Sequence, residues 1–169
     1  MTFLLDMNLL FVLHQPLHPE YNLVSEWFAH RAGKPFATCP ITQSGFMRLL
    51  TRGIPGLDPF EMCEAGNALE HLIQLPGHVF WPDTPAYLDA TRTLFARLQG
   101  HRQTTDVYLL GLAIHNNGKL ATLNRGIRYL AGKEFSANLE GIEACAASPS
   151  PQRNTCPTPT LLFLRKSQF

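Results

Sequence analysis

The sequence predicts an α/β protein with a parallel sheet, because short apolar runs alternate with longer segments of helical periodicity. The apolar runs that read as strands cover residues 2–5, 36–40, 78–81 and 119–123. Asp6 and Asn124 directly follow the first and the last of these runs. Ligands and metals gather at the carboxyl ends of strands in open parallel sheets. We therefore expect the functional residues to lie at that edge.

The first half of the chain predicts four helical segments between the strands. The first run leads through Asp6 into a short helical segment at residues 8–13. Apolar residues recur at helical spacing within residues 19–31, which predicts an amphipathic helix returning to the sheet. After the second run, Thr42 is an N-cap candidate for the next helix. A further helix is predicted over residues 58–74, just before the third strand.

The second half continues the alternation and closes the sheet. Residues 87–98 are predicted to be helical, and residues 104–113 predict a capped, strongly apolar helix. An Asn-Asn-Gly turn then leads into the fourth strand. Residues 127–130 predict a helical turn, and residues 137–142 a short edge strand. This order of elements supports a single parallel sheet.

Composition limits the class of protein. The chain has 169 residues, of which 45% are hydrophobic and 16% charged, which suits one globular domain with a sizeable core. A net charge of +1 gives no broad basic surface, so nucleic-acid binding would need a local patch or a metal. Four cysteines without C-x-x-C spacing favour a reduced, cytoplasmic protein. The sequence predicts neither a signal peptide nor a membrane span.

Two regions of different composition divide the chain. Residues 1–144 form the predicted domain, whereas residues 145–169 are rich in Pro and Ser and predict an extended, flexible tail. An apolar patch at residues 161–164 could dock on the domain by strand addition, or have no function. The sequence leaves both interpretations of the tail open.

Three polar side chains are candidates for a metal site. Asp6 follows the first strand, Asp106 lies in the first turn of a helix, and Asn124 follows the fourth strand. Mg²⁺ takes one or two protein carboxylates, keeps several waters and binds substrate phosphate. The two carboxylates could hold such an ion while Asn124 supplies an amide oxygen or orients a water. Each residue also has a structural interpretation, as a helix cap, a first-turn acid or a turn residue.

Five segments resemble a PIN domain of the VapC toxin type. They are Leu-Leu-Asp-Met-Asn at 4–8, Ala-Thr-Cys-Pro-Ile-Thr-Gln-Ser-Gly-Phe-Met-Arg-Leu-Leu at 37–50, Pro-Gly-His-Val-Phe-Trp at 76–81, Thr-Asp-Val-Tyr-Leu-Leu at 105–110 and Leu-Ala-Thr-Leu-Asn-Arg-Gly at 120–126. The resemblance covers residues 2–143, in the family's order and with similar spacing. This agreement is far more specific than any single motif.

The resemblance implies a fold, an activity and partners. The fold is a three-layer α/β/α arrangement around a central parallel sheet. The activity is that of an endoribonuclease that needs Mg²⁺ or Mn²⁺, cuts structured RNA and is held inactive by a VapB-like antitoxin; members commonly form homodimers. Asp6 and Asp106 correspond to the family's metal ligands. The polar positions beside them, which orient carboxylates or waters, correspond to Asn8, Thr42, Gln43 and Thr105.

Two positions depart from the family's pattern. Gln43 replaces a Glu of many PIN domains, as is usual in the toxin branch. Asn124 stands where the motif more often carries Asp, which removes one negative charge from a site for a dication. The sequence therefore leaves two functions: a metal-dependent ribonuclease, or a PIN-like module that binds antitoxin or RNA without cleaving.

Other chemistries find little support in the motifs. There is no Gly-x-Ser-x-Gly elbow, no recognisable Cys–His pair and no zinc spacing. A phospho-acceptor receiver domain would need a paired acidic cluster near the start, where only Asp6 is present. Surface arginines that could contact RNA cannot be ranked; they are Arg48, Arg52, Arg102 and Arg125. Two interpretations are open for an apolar group of residues: they form a surface that binds the antitoxin, or they belong to the core. These residues are Leu9, Leu10, Leu13 and Trp27.

Overall fold

A five-stranded, all-parallel sheet forms the centre of the molecule in a computed structural model that describes residues 1–53, 55–56 and 58–143. The strands are β1 (Phe3–Leu5), β2 (Phe36–Thr38), β3 (His78–Phe80), β4 (Lys119–Thr122) and β5 (Leu139–Gly141). Their order is β3-β2-β1-β4-β5, which places β1 at the centre between β2 and β4. The predicted parallel α/β fold is confirmed, and β5 is an edge strand as expected.

Helices cover both faces of the sheet. The helices are α1 (Met7–Leu13), α2 (Tyr21–Ala29), α3 (Pro40–Arg52), α4 (Met62–Gln74), α5 (Tyr87–Thr91), α6 (Thr104–His115) and α7 (Ile127–Ala131). Side chains of β1 alternate between the faces: Phe3 and Leu5 join one core cluster with α1–α4, and Leu4 joins the other with α5–α7. This is the three-layer arrangement that the family resemblance implies.

Helix boundaries differ from the sequence prediction at three places. Cys39, not Thr42, is the N-cap of α3, and Pro40 is its first residue. Thr42 is the third residue, and its hydroxyl accepts a hydrogen bond from the Cys39 amide at 2.9 Å. The prediction was wrong because Pro40 was assigned to the strand, although proline suits the first helical position. In addition, α4 begins at Met62, and α5 passes into a 3₁₀ helix at Arg92–Arg97.

Half of the residues proposed for antitoxin binding are core. Leu9 and Leu10 are fully buried, which leaves only Leu13 and Trp27 of that group partly exposed. In the described part of the chain, no helix combines the length and apolar character needed to cross a membrane. The predicted tail at residues 145–169, including its apolar patch, lies outside the described residues.

Helix α6 is buried along residues 107–113, and its place in the fold depends on one glycine. A Cβ at Gly111 would lie 2.1 Å from the carbonyl oxygen of Ala90 in α5. The two helices can therefore approach this closely only because residue 111 has no side chain. This approach fixes where the first turn of α6, with Asp106, meets the sheet.

We expect Gly111→Ala to lower the free energy of unfolding by about 2–3 kcal/mol, because α5 and α6 must separate. Gly66→Ala is a matched control, since a Cβ at that helical position in α4 meets no atom within 4 Å. That control should gain up to about 1 kcal/mol from helix propensity. Urea denaturation of both variants measures the difference, and equal effects of the two substitutions would contradict this packing argument.

Candidate metal centre

Asp6 lies where β1 passes into α1, with only 2% of its surface exposed. Its amide donates a hydrogen bond to the Ala121 carbonyl at 3.0 Å and so extends the pairing with β4. Asp6 occupies the N-cap position of α1 without a side-chain capping hydrogen bond. Its Oδ2 instead accepts a hydrogen bond from the Thr122 hydroxyl at 2.7 Å. Burial raises the pKa of this carboxyl, and the Thr122 bond opposes the rise.

Asp106 is the neighbouring carboxylate, held in the first turn of α6. It is half-buried, and its pKa is raised to about 6, first by burial and then by the negative charge of Asp6. The amide nitrogen Nδ2 of Asn124 donates a hydrogen bond to Asp106 Oδ2 at 2.9 Å. Two anionic groups from separate elements therefore interact electrostatically at the carboxyl ends of β1 and β4.

A continuous chain of hydrogen bonds connects the two carboxylates. The Thr122 hydroxyl donates to the Asp6 carboxylate and accepts a hydrogen bond from the backbone N–H of Asn124 at 3.0 Å. The Asn124 side chain then donates to Asp106, while its Oδ1 accepts from the Gly126 amide at 2.9 Å. Asn124 thus turns its N–H group, and not its oxygen, towards Asp106. In this arrangement Asn124 holds Asp106 in place.

Thr122 was missed by sequence reasoning. It is the last residue of β4 and is almost fully buried. The signal was available: a hydroxyl at the end of an otherwise apolar run, two residues before Asn124, requires a hydrogen-bond partner. A hydrogen-bond partner at the same edge of the sheet is one of the few available to a buried hydroxyl at that position.

The other predicted site residues divide into two groups. Thr105 is half-buried beside Asp106, and exposed Asn8 shares an open cavity with Asn124. Thr42 and Gln43 make their hydrogen bonds elsewhere. The Thr42 hydroxyl caps α3, and the Gln43 amide donates to the Thr38 hydroxyl at 2.9 Å. The structure thus brings Asp6, Asp106 and Asn124 together. The hydrogen bonds of Thr42 and Gln43 instead lie at the end of β2 and the start of α3.

The donor set fits a hard divalent cation. The two carboxylates are partly removed from water, and their negative charges repel each other. A nearby positive charge therefore stabilises their ionised forms. Mg²⁺ and Mn²⁺ accept such oxygen ligands and complete their coordination with water. Among the residues described, no group of three His, Cys, Asp or Glu side chains could hold a metal. The fit is therefore to a two-carboxylate site.

Sequence comparison finds similar proteins over most of the chain. Ribonuclease VapC29 of Mycobacterium tuberculosis is 35% identical over 133 residues, which cover 78% of this chain and 92% of that protein. Ribonuclease VapC44 of the same organism is 31% identical over 132 residues, with the same coverage. Ribonuclease VapC38, also from M. tuberculosis, is 34% identical over 76% of this chain and 89% of its own length. No family model matches the chain.

Comparison with solved structures supports the three-layer fold with a central parallel sheet. The crystal structure of VapBC2 from Rickettsia felis, bound to a DNA fragment from their promoter, contains a chain that superposes with a TM-score of 0.56. The match covers 85% of this chain and all of that chain, at 15% sequence identity. At this identity the match establishes the fold alone.

The electrostatics of the site predict a pH-dependent stability for the metal-free chain. Because the folded state raises the pKa of Asp106 from 3.8 to about 6, it binds more protons than the unfolded state between these values. The contribution of Asp106 to stability is therefore fully present below pH 3.8 and is lost as the pH rises through about 6. In chelator, Asp106→Asn should be more stable than the parent by about 1–2 kcal/mol at pH 7.5.

The gain should largely disappear at pH 3.5, where Asp106 is protonated in the folded state and mostly protonated in the unfolded state. Denaturant titrations at both pH values measure it, with Asp58→Asn as the exposed control. A gain of the same size at both pH values would contradict the electrostatic explanation.

Proposed function

The chain belongs to the VapC family of PIN-domain ribonucleases, and we propose that it is an endoribonuclease that needs Mg²⁺ or Mn²⁺ and acts as the toxin of a toxin–antitoxin pair. The observation that carries this proposal is the pair of carboxylates, Asp6 and Asp106, linked through Thr122 and Asn124 at the end of the sheet. A chain 35% identical to a ribonuclease presents the oxygen ligands that metal-assisted phosphodiester hydrolysis requires.

Each residue of the site has a distinct part in the proposed reaction. When bound, the cation supplies activation of a water molecule and stabilisation of charge on the phosphate oxygens. Asp6 and Asp106 hold it. Thr122 fixes the orientation of the Asp6 carboxylate, and Asn124 that of Asp106. Near pH 7 Asp106 is mostly ionised, because its pKa of about 6 lies below that pH. No nucleophilic side chain is needed.

The proposed partners are a VapB-like antitoxin, RNA and a second copy of the chain. Support for the antitoxin comes from the family and from the VapBC2 structure, whose fold this chain shares. RNA is proposed as the substrate because the relatives are named ribonucleases. The homodimer remains a prediction from the family resemblance.

One observation favours a second candidate function, that of a module that binds antitoxin or RNA without cleaving. The Asn124 Oδ1 is engaged by the Gly126 amide, and its Nδ2 faces Asp106. The site therefore has two anionic ligands where a third carboxylate would strengthen metal binding. Calorimetric titration with Mg²⁺ and Mn²⁺ distinguishes the two functions, because millimolar metal should bind to the nuclease and not to the binding module.

Removing either carboxylate should abolish cleavage. We expect Asp6→Asn and Asp106→Asn to reduce RNA cleavage at least about 100-fold in Mg²⁺, since each removes half of the anionic ligand set. Asp58→Asn, at an exposed acidic position, should cleave like the parent. The assay follows purified total RNA, with EDTA as a further control. Cleavage by Asp6→Asn at the parent's rate would exclude the proposed mechanism.

Restoring a third carboxylate should strengthen metal binding. We expect Asn124→Asp to lower the Mg²⁺ dissociation constant about 10-fold and to increase cleavage, because it adds a negative charge beside Asp106. The same charge should destabilise the metal-free fold, so that Mg²⁺ raises the melting temperature of Asn124→Asp more than that of the parent. Asn116→Asp, at the far end of α6, is the charge-matched control. An unchanged metal affinity would show that residue 124 acts only through hydrogen bonding.

A further inference from the structure

An open cavity of about 300 Å³ adjoins the candidate metal centre. Two of its lining residues, Asn8 and Asn124, belong to the predicted site. The others are residues of α1, of α3, of the α1–α2 connection and of the chain after β4, namely Phe11, Val12, His18, Glu20, Leu49 and Leu123. A ligand in this cavity would therefore lie directly beside a phosphate held at Asp6 and Asp106.

The lining has two chemical parts. Phe11, Val12, Leu49 and Leu123 give an apolar floor, and Asn8, His18 and Glu20 add polar groups. The described residues that line the cavity include no Lys or Arg, and Glu20 carries a negative charge. A phosphate group would be repelled by that carboxylate. A flat, neutral, partly apolar group with N–H donors on its edge suits this lining, and a nucleobase has this chemistry.

The polar groups have a defined hydrogen-bonding pattern. The Glu20 amide donates to His18 Nδ1 at 3.2 Å, so the neutral imidazole carries its hydrogen on Nε2. The edge of the His18 ring also packs perpendicular to Phe11, with the ring centres 6.2 Å apart. His18 Nε2 is then a donor, and the carboxylate of Glu20, which also lines the cavity, can accept two hydrogen bonds. Guanine presents the complement on one edge: two N–H donors beside the O6 acceptor.

We propose that this cavity binds one nucleobase of the RNA, next to the scissile phosphate, and that His18 and Glu20 select guanine there. The inference rests on the proposed function, because it places the base of a substrate whose phosphate is bound at Asp6 and Asp106. It assigns sequence preference to the connection between α1 and α2, a segment that takes no part in holding the metal.

Mononucleotide binding tests the cavity without requiring cleavage. The probes are guanosine, inosine and adenosine 5′-monophosphates and ribose 5-phosphate, titrated into the full chain in Mg²⁺ and followed by the NMR signals of His18 and Asn8. We expect GMP to shift these signals and to bind at least about 5-fold more tightly than the other three, since each lacks a group that Glu20 or His18 contacts. Equal binding of ribose 5-phosphate, or no shift with any nucleotide, would overturn the proposal.

Matched variants identify the selecting residue. Glu20→Gln should abolish the preference for GMP over inosine monophosphate, because a neutral amide cannot accept two hydrogen bonds from guanine in the same way. Glu26→Gln is the control, since Glu26 is an exposed acid of α2 that does not line the cavity. A preference retained in Glu20→Gln would overturn the assignment to this carboxylate.

Sequencing of the 5′ ends made from total RNA in Mg²⁺ separates this inference from the proposed function. The parent should show guanine at one fixed position beside the cut, and Glu20→Gln should reduce that enrichment about 10-fold while still cleaving. Cleavage with no such enrichment would overturn the base site and leave the nuclease standing. GMP binding in the cavity without any cleavage would retain the base site and overturn the nuclease.

Discussion

The burial of two like charges at one end of a parallel sheet is the constraint on which this structure depends. Burial raises the cost of ionising both Asp6 and Asp106, and the negative charge of Asp6 adds to that cost at Asp106. The hydrogen bond from Thr122 offsets part of this cost at Asp6, and the Asn124 side chain donates a hydrogen bond to Asp106. Another partly buried acid, Glu140, is balanced differently, by ion pairs with Arg31 and Lys119. Asp6 and Asp106, the candidate metal ligands, receive neutral donors instead, which leaves their negative charge available to a cation.

Through Thr122 and Asn124, the end of β4 connects the two carboxylates by hydrogen bonds. The strand pairs with β1 along residues 3–5, so its last residue arrives beside Asp6. The Thr122 hydroxyl then donates to the Asp6 carboxylate and accepts from the backbone N–H of Asn124. The side chain of Asn124 carries the connection on to Asp106. If the site binds a cation as proposed, a substitution that changes the charge of residue 124 should alter metal affinity and metal-free stability together, and in opposite directions.

Chemistry and recognition meet at the same edge of the sheet. The carboxylates come from the end of β1 and the start of α6, whereas the proposed base site uses the connection between α1 and α2. Asn8 and Asn124 belong to both regions. This division would allow sequence preference to change through residues such as His18 and Glu20 without disturbing the metal ligands. It agrees with the general placement of binding residues on loops that a rigid scaffold positions.

Local pattern was enough to predict the order of strands and helices and the two acids, because each signal lies within a few residues: an apolar run, a breaker, an Asp after a strand. It could not rank the polar neighbours. Thr42 and Gln43, in the first turn of α3, make hydrogen bonds to Cys39 and Thr38 at the end of β2. The Thr122 hydroxyl, which the sequence did not single out, donates to Asp6 instead. The Thr122–Asp6 contact joins residues 116 positions apart, and only the register of β1 against β4 decides it. The same register turns Asn124 from a candidate oxygen ligand into a hydrogen-bond donor to Asp106.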